Sequence, residues 1–442
     1  MYRSVSVPAA RDLALVGGRV LPVADEQGRR AAPLDPGVVL VRDGRIAAVG
    51  AVGEVDVPAE AEVIDCAGTV LTPGLVEAHG HLGVHEDGEG WAGDDTNEMT
   101  IVDGAKLRAL DAINPREVGF KDALRGGVTS AVVKPGSGNP IGGRTVAVKT
   151  WGRVVDEMVI REDVSVKSAL GENPKRVHGE KGRMPSVRMG VAAALREAFV
   201  EAQNYVAARA AAHSEGKPFA RDLGKETLAA VLAGELAWDQ HCHRADDIAT
   251  AVRLSEEFGY RLVVNHGTEG HLLADYLAEK GIDVIVGPLM TSRSKVELRE
   301  RTLATPAALA EAGVRIALTT DHPVVPINFL IHEATLAVKD GLDPVVALES
   351  LTVNPAAMLG LDDRVGSLAP GRDADIAVWS ADPLDVHARA EHVYIAGRRV
   401  YRWDEESGQG EVADPHGPTR VAHVQAGGKA QAGETERSAD TR

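Results

Sequence analysis

Two histidines, His79 and His81, stand one residue apart in "TPGLVEAHGHLGVHEDG" (residues 72–88), at the end of an apolar run that follows Pro73-Gly74. Residues i and i+2 of a strand point to the same side, so both imidazoles can be presented to one ion, with Gly80 removing bulk between them. Taken alone, such a pair is equally well the polar end of a strand. Three further residues change the balance. His241 closes "LAWDQH", His266 closes "RLVVNH" and Asp321 closes "VRIALTTD", each at the carboxyl end of a predicted strand. In a closed parallel barrel such ends converge on one face, where the catalytic groups of barrels are found. Neutral imidazole suits a divalent first-row ion, Zn²⁺ first among them, and a catalytic site leaves one position open for water. An ion so held lowers the pKa of that water towards about 7. An acid beside it can accept the proton and return it to a leaving group.

The elements that must position these residues can be read from the pattern. Eight short apolar runs alternate with helical stretches between about residues 75 and 350: "GLVEAH", "VTSAVVK", "TVAVK", "VSVKSAL", "LAWDQH", "RLVVNH", "DVIVG" and "VRIALTTD". Helices are predicted over "RMGVAAALREAFVEAQNYVAARAAAH" and over "ADDIATAVRLSEEFG", the latter closed by Gly259. Eight strands with intervening helices in that length fit a (β/α)₈ barrel of about 250 residues. Before it, residues 12–71 read as short β runs, with Asp43-Gly44 as a hairpin cue. After about 365, "GRDADIAVWS" and "EHVYIAGRRVY" return to β character without helices, and pair most economically with the N-terminal strands. The expected organisation is 1–71 and 363–403 as one small domain from both chain ends, 72–362 as the barrel, and 404–442 as a disordered tail poor in large apolar residues.

Composition narrows the partners. A formal net charge of −17 opposes nucleic acid and anionic membranes, and no apolar run approaches the 18 residues of a span. A small-molecule substrate fits better. Two cysteines, Cys66 and Cys242, give no disulfide framework and no CxxC pattern, and the first residues do not read as a secretory signal, so a cytoplasmic location is expected.

The segments "PGLVEAHGHLG", "HCHRADD", "VVNHGTEGH", "ALTTDHPVVP", "LTVNPAAMLGL" and "VGSLAPGRDADIAVW", spread over about residues 12–402, together resemble the metal-dependent amidohydrolase superfamily, in its imidazolonepropionase-like branch. The resemblance implies a distorted (β/α)₈ barrel with a small β-sandwich from both termini. By motif position it places metal ligands on His79, His81, His241, His266 and Asp321, with Asp321 also as the general acid-base. Members with two ions bridge them by a carboxylated lysine or a glutamate; here the candidates are Lys167 and, as the alternative, Glu172, and one ion or two are both open. The reaction implied is hydrolysis of an amide-like C–N bond, in a cyclic amide or a dipeptide-like substrate. Deaminase branches follow the strand-five histidine with an acid three residues on, where this chain has Arg244, which favours an acyl carbon. A scaffold that lost catalysis would have lost ligands, and all five positions hold the right types.

Further candidates lie around this core. His243, two residues beyond His241, is expected to face substrate or support the site. His85, in the loop after the first strand, and Arg144 and Arg176, in loops after the second and fourth, are candidates for substrate contact, against the plainer reading of surface charge. The glycine-rich "KPGSGNPIGGR" lacks the lysine and hydroxyl placement of a phosphate loop and reads as a tight connection. Homo-oligomers are compatible with all of this.

Overall fold

Short β-branched runs buried on both faces build the centre of the molecule. In the computed structural model, which describes the backbone of residues 3–5 and residues 12–415 in full, all eight expected runs are strands. They are named here β1 (Leu75–Gly80), β2 (Val128–Val133), β3 (Val146–Lys149), β4 (Ser165–Ala169), β5 (Ala237–Cys242), β6 (Leu262–His266), β7 (Asp283–Val286) and β8 (Ile316–Leu318). Strands β4 to β8 pair in parallel, each with the next. β1 and β2 also pair in parallel, in a second sheet. The ends of β8 and β1 are tied across: the His81 N–H donates to the His322 carbonyl at 2.8 Å, and Thr319 Oγ1 donates to the His79 carbonyl at 2.6 Å.

One expectation fails at the third strand. β3 runs antiparallel to β2, and Ile141–Arg144, just before it, runs antiparallel to β4. The described strands therefore form a four-stranded and a six-stranded sheet instead of one continuous parallel ring. The cause is the connection between β2 and β3, which is glycine- and proline-rich and contains no helix. A parallel return needs a crossover long enough to span the sheet, usually helical, and without it the chain can only come back reversed.

The helices pack outside. Arg188–Ser214 lays Phe199 against Trp238 of β5, with ring centroids 4.8 Å apart, and against Phe258 and Tyr260 at 5.0 and 4.9 Å. Ala245–Phe258 ends on Gly259 at φ 75°, the left-handed cap that glycine adopts without a Cβ penalty. At the start of β1, a Cβ on Gly74 would lie within 2.7 Å of three Thr129 side-chain atoms, so only glycine lets β1 pass β2 there. Gly80 is different: a Cβ there would make ordinary contacts no closer than 3.5 Å, so bulk between the two histidines is not what selects it.

The chain ends share one seven-stranded sheet. It orders Arg3–Val5, Gln409–Ala413, Arg398–Asp404, Ala390–Ile395, Ile376–Trp379, Val70–Pro73 and Arg19–Val20. A four-stranded sheet from Leu13–Val16, Gly37–Arg42, Arg45–Ala51 and Glu62–Asp65 accompanies it. Leu15, Val39, Val41, Ile46, Leu71, Ile376 and Val378 fill one apolar cluster drawn from both. Residues 404–413, placed by composition in the expected tail, are strand and turn. Gln409–Ala413 is a strand despite its thin apolar content, because it folds back on Arg398–Asp404 as a hairpin and buries Val412, while Trp151 Nε1 donates to the Ala413 carbonyl at 2.9 Å. Residues 416–442 of that expected tail lie outside the described residues. Among the described residues, no helix is long and apolar enough to cross a membrane.

Candidate metal centre

Strand ends bring four imidazoles and one carboxylate together, as the spacing predicts. The His79 and His266 ring centroids are 4.9 Å apart, those of His241 and His266 4.5 Å, and those of His79 and His81 5.5 Å. Asp321 Oδ1 lies 3.2 Å from His79 Nε2 and 3.3 Å from His81 Nε2. His266 and Asp321 both hold left-handed backbone, at φ 71° and 53°, a conformation that costs a non-glycine residue about 1–3 kcal/mol and persists where surroundings over-determine it. Both turn the chain sharply at a strand end, aiming the side chain inward.

What fixes each ring is the hydrogen bond on its other nitrogen. His79 Nδ1 donates to Asn265 Oδ1 at 2.6 Å, His81 Nδ1 to the Lys134 carbonyl at 2.8 Å, and His266 Nδ1 to the Gly287 carbonyl at 2.8 Å. With those protons committed, each neutral ring keeps a lone pair on Nε2. Burial holds His79 well below its usual pKa and His266 down to about 4, so neither ring carries a second proton at neutral pH. Asp321 is ionised at neutral pH, its carboxyl held well below the usual range although burial opposes the charge. The result is four electron-pair donors, the Nε2 atoms of His79, His81 and His266 and the buried Asp321 Oδ1, which lacks any hydrogen-bond partner. Two ligand atoms about 2.0–2.1 Å from one tetrahedral ion sit roughly 3.3 Å apart, which matches the 3.2 and 3.3 Å spacings. The donor set fits a divalent cation. His79, His266 and Asp321 form one group with ligand atoms within 4.8 Å of one another.

Behind His79 runs a buried polar chain that the sequence reading missed. Lys134 Nζ donates to Asp239 Oδ2 at 2.5 Å and to Asn265 Oδ1 at 3.1 Å, and Asn265 Nδ2 donates to Asp239 Oδ1. Ser165 Oγ donates to the same Asp239 at 2.9 Å. The signal was present: Asp239 is i−2 from His241 on β5, the same rule that pairs His79 with His81. Glu77, fully buried, accepts from the His79 N–H and from the Thr320 N–H and Oγ1, clamping the ends of β1 and β8 to each other.

Lys167 reaches the centre. Its Nζ lies 3.4 Å from His79 Nε2 and 3.3 Å from the Pro135 carbonyl, and burial pulls its pKa down to about 8. Glu172 opens the helix Glu172–Gly179, where its own N–H donates to Glu297 Oε1 at 2.6 Å; among the described residues it joins neither group of converging ligand atoms. His243 does converge: with His241 and Glu297 it forms a second group within 4.8 Å, and its Nδ1 is 2.8 Å from Thr268 Oγ1. The remaining candidates lie elsewhere. His85 faces Asp94 at 3.6 Å, Arg144 is paired with Asp163 at 3.0 Å, and Arg176 is exposed on the helix after β4.

Such a site defines a class, α/β proteins that gather imidazoles and a carboxylate at strand ends around a space suited to a divalent cation. Residues 70–402 match the model of the amidohydrolase family. The amidohydrolase tasK of Hapsidospora irregularis is 32% identical over 82% of this chain, which spans 39% of that relative's length. The imidazolonepropionase of Sphingopyxis alaskensis is 29% identical over 82% of this chain and 90% of its own. A crystal structure of an amidohydrolase from Thermotoga maritima MSB8 is 42% identical, with a TM-score of 0.83, covering 88% of this chain and all of that one. An adenosine deaminase from Xanthomonas campestris with bound zinc, at 21% identity and a TM-score of 0.51 over 89% of this chain and 93% of its own, shares the fold. The chain belongs to the amidohydrolase family, in its imidazolonepropionase-like branch, and is a hydrolase of carbon–nitrogen bonds.

Proposed function

We propose that the chain hydrolyses an amide-like bond of a small molecule, a cyclic amide or dipeptide-like compound, at a centre holding one or two zinc ions. The observation that carries this is the set of committed Nδ1 protons around His79, His81 and His266, which leaves the Nε2 lone pairs facing ionised Asp321. In this reading His79, His81 and Asp321 would hold the first ion, and His241 and His266 would hold a second where two are bound. Lys167 is the bridge in preference to Glu172: with a pKa of about 8 its amine is partly neutral at physiological pH and can take up carbon dioxide as a carbamate, losing a proton. When bound, zinc supplies a water acidic enough to attack an acyl carbon at neutral pH and polarises that carbonyl.

The chain's own residues do the rest. Asp321, carried on a sharp turn beside both strand-one imidazoles, accepts the proton released during attack and returns it to the leaving nitrogen. Asn265, Lys134 and Asp239 keep the His79 ring in one tautomer and orientation. Acyl transfer is favoured over deamination because Arg244, where deaminases carry their acid, is turned to Asp246 at 2.8 Å. We further read the two inner sheets as a distorted (β/α)₈ barrel over 72–362, and residues 1–71 and 363–403 as a β-sandwich that the hairpin to Ala413 extends. A cytoplasmic location remains part of this proposal. The test is zinc content and turnover of N-acyl amino acids, dipeptides and cyclic imides by the purified chain; metal-free protein with undiminished turnover would refute it.

A further inference from the structure

Beside the strand-eight acid lies a pair of buried polar groups that the metal centre does not use. His322, the residue after Asp321, is 1% exposed, and Glu117, in the segment that joins β1 to the helix Gly119–Arg125, is 4% exposed. His322 Nδ1 accepts from the Ile327 N–H at 3.3 Å, so the proton of the neutral ring stands on Nε2, where it meets no acceptor. Glu117 Oε1 accepts from the Gly119 N–H at 2.7 Å and the Asp87 N–H at 3.4 Å, while Oε2 meets no donor. These two atoms border one space. A Cβ on Gly119 would lie 2.6 Å from Glu117 Oε2 and 2.7 Å from His322 Nε2, so glycine keeps that space open between them. A buried donor and a buried acceptor that both stay unpaired each forfeit their hydration, which pairing them would offset. Burial, with Asp87 and Asp122 nearby, pushes the Glu117 carboxyl up to about 7, and a donor at Oε2 would favour its ionised form.

We propose that Glu117 is a positioning residue of the centre: its carboxylate takes the His322 Nε2–H, directly or through one water, and so fixes the peptide that carries Asp321. This deepens the reading of the site given above and rests on it. Two features connect the pair to the ligands. His322 directly follows Asp321, whose backbone is left-handed at φ 53°, and the His322 carbonyl accepts the His81 N–H at 2.8 Å. A His322 ring held at both nitrogens, by the Ile327 N–H on one side and Glu117 on the other, cannot turn without breaking a bond. Glu117 thus acts on Asp321 and His81 through His322 and not on the reacting atoms.

The experiment uses the full chain with zinc alone as the probe. Glu117→Gln keeps an acceptor for the Gly119 N–H and turns an amide donor on the ring, and His322→Asn keeps an acceptor for the Ile327 N–H and lacks Nε2. Each is expected to weaken zinc affinity about 10- to 100-fold by competition titration, with stoichiometry retained. The double variant should bind no more weakly than the weaker single. Unchanged affinity in Glu117→Gln, or single effects that multiply in the double variant, overturns the proposal. The same four proteins, unfolded by denaturant without metal, should show the two sites coupled by about fivefold or more in the unfolding equilibrium; independent effects there also overturn it. A wild type that binds no zinc overturns the metal reading and the positioning role with it, and coupling in the unfolding series would then show that the Glu117–His322 link itself stands.

Discussion

The two sides of the centre are built from the same residue types and behave oppositely. On one side, His79, His81 and Asp321 face one another at 3.2–3.3 Å with every outward nitrogen held by a fixed acceptor, so what remains inside is a set of lone pairs. On the other, the ligand atoms of His241, His243 and Glu297 lie within 4.8 Å of one another, yet Glu297 Oε1 is taken by Arg188 and a backbone N–H, and His241 Nδ1 has no hydrogen-bond partner. Convergence of ligand types is therefore a weak criterion. Orientation from behind decides which cluster is ready for a cation.

The largest expected effect comes from the first side. Asp321→Asn keeps the shape and removes the charge and the base, and kcat should fall about 10³-fold or more, whereas a loss under tenfold would place the proton acceptor elsewhere. Breaking the second side should cost folding instead of metal. Arg188 joins Asp247, through two contacts of 3.0–3.1 Å, to Glu297, and Arg188→Ala would leave two buried carboxylates without it. Its stability should drop by about 3 kcal/mol, read by denaturant unfolding, with zinc stoichiometry retained. Loss of zinc without loss of stability would mean that the two sides had been assigned the wrong way round.

Orientation itself is tested by Asn265→Ala, which touches neither Asp321 nor the open side of His79. Zinc affinity by competition titration should weaken about 10- to 100-fold; unchanged affinity would show that the ring needs no backing. A further effect is expected from pH, on the metal-free chain. Burial holds His322 down to about 4, below its ordinary 6.5, so the folded state favours the neutral ring. Its contribution to stability is full above pH 6.5 and is lost as pH falls from 6.5 towards 4. The stability–pH curve of the wild type, minus that of His322→Asn, should show that decline in that window and a flat difference above it.

The sequence carried the first side almost completely. His79, His81, His266 and Asp321 follow from strand ends and the i, i+2 rule, and the structure gathers them. What lay behind them was harder to see. Asn265 sits beside a histidine in "VVNH" and reads as a strand polar residue until β1 is known to lie across from it. Lys134 was one of several strand-end lysines, and only burial against Asp239 separates it from the others. Glu117 and Glu297 lie in loops with no periodicity to read. Arg144 and His85 were candidates by charge and position, and local carboxylates claim both. The reversed third strand was implicit in "KPGSGNPIGGR", whose composition has room for a tight return and none for a helix.

The most direct test is anomalous diffraction at the zinc edge from crystals of the full chain grown with zinc. The account predicts a peak about 2.0–2.2 Å from His79 Nε2, His81 Nε2 and an Asp321 carboxylate oxygen. An empty cleft between those three side chains, or a peak held by His243 and Glu297 instead, would contradict it.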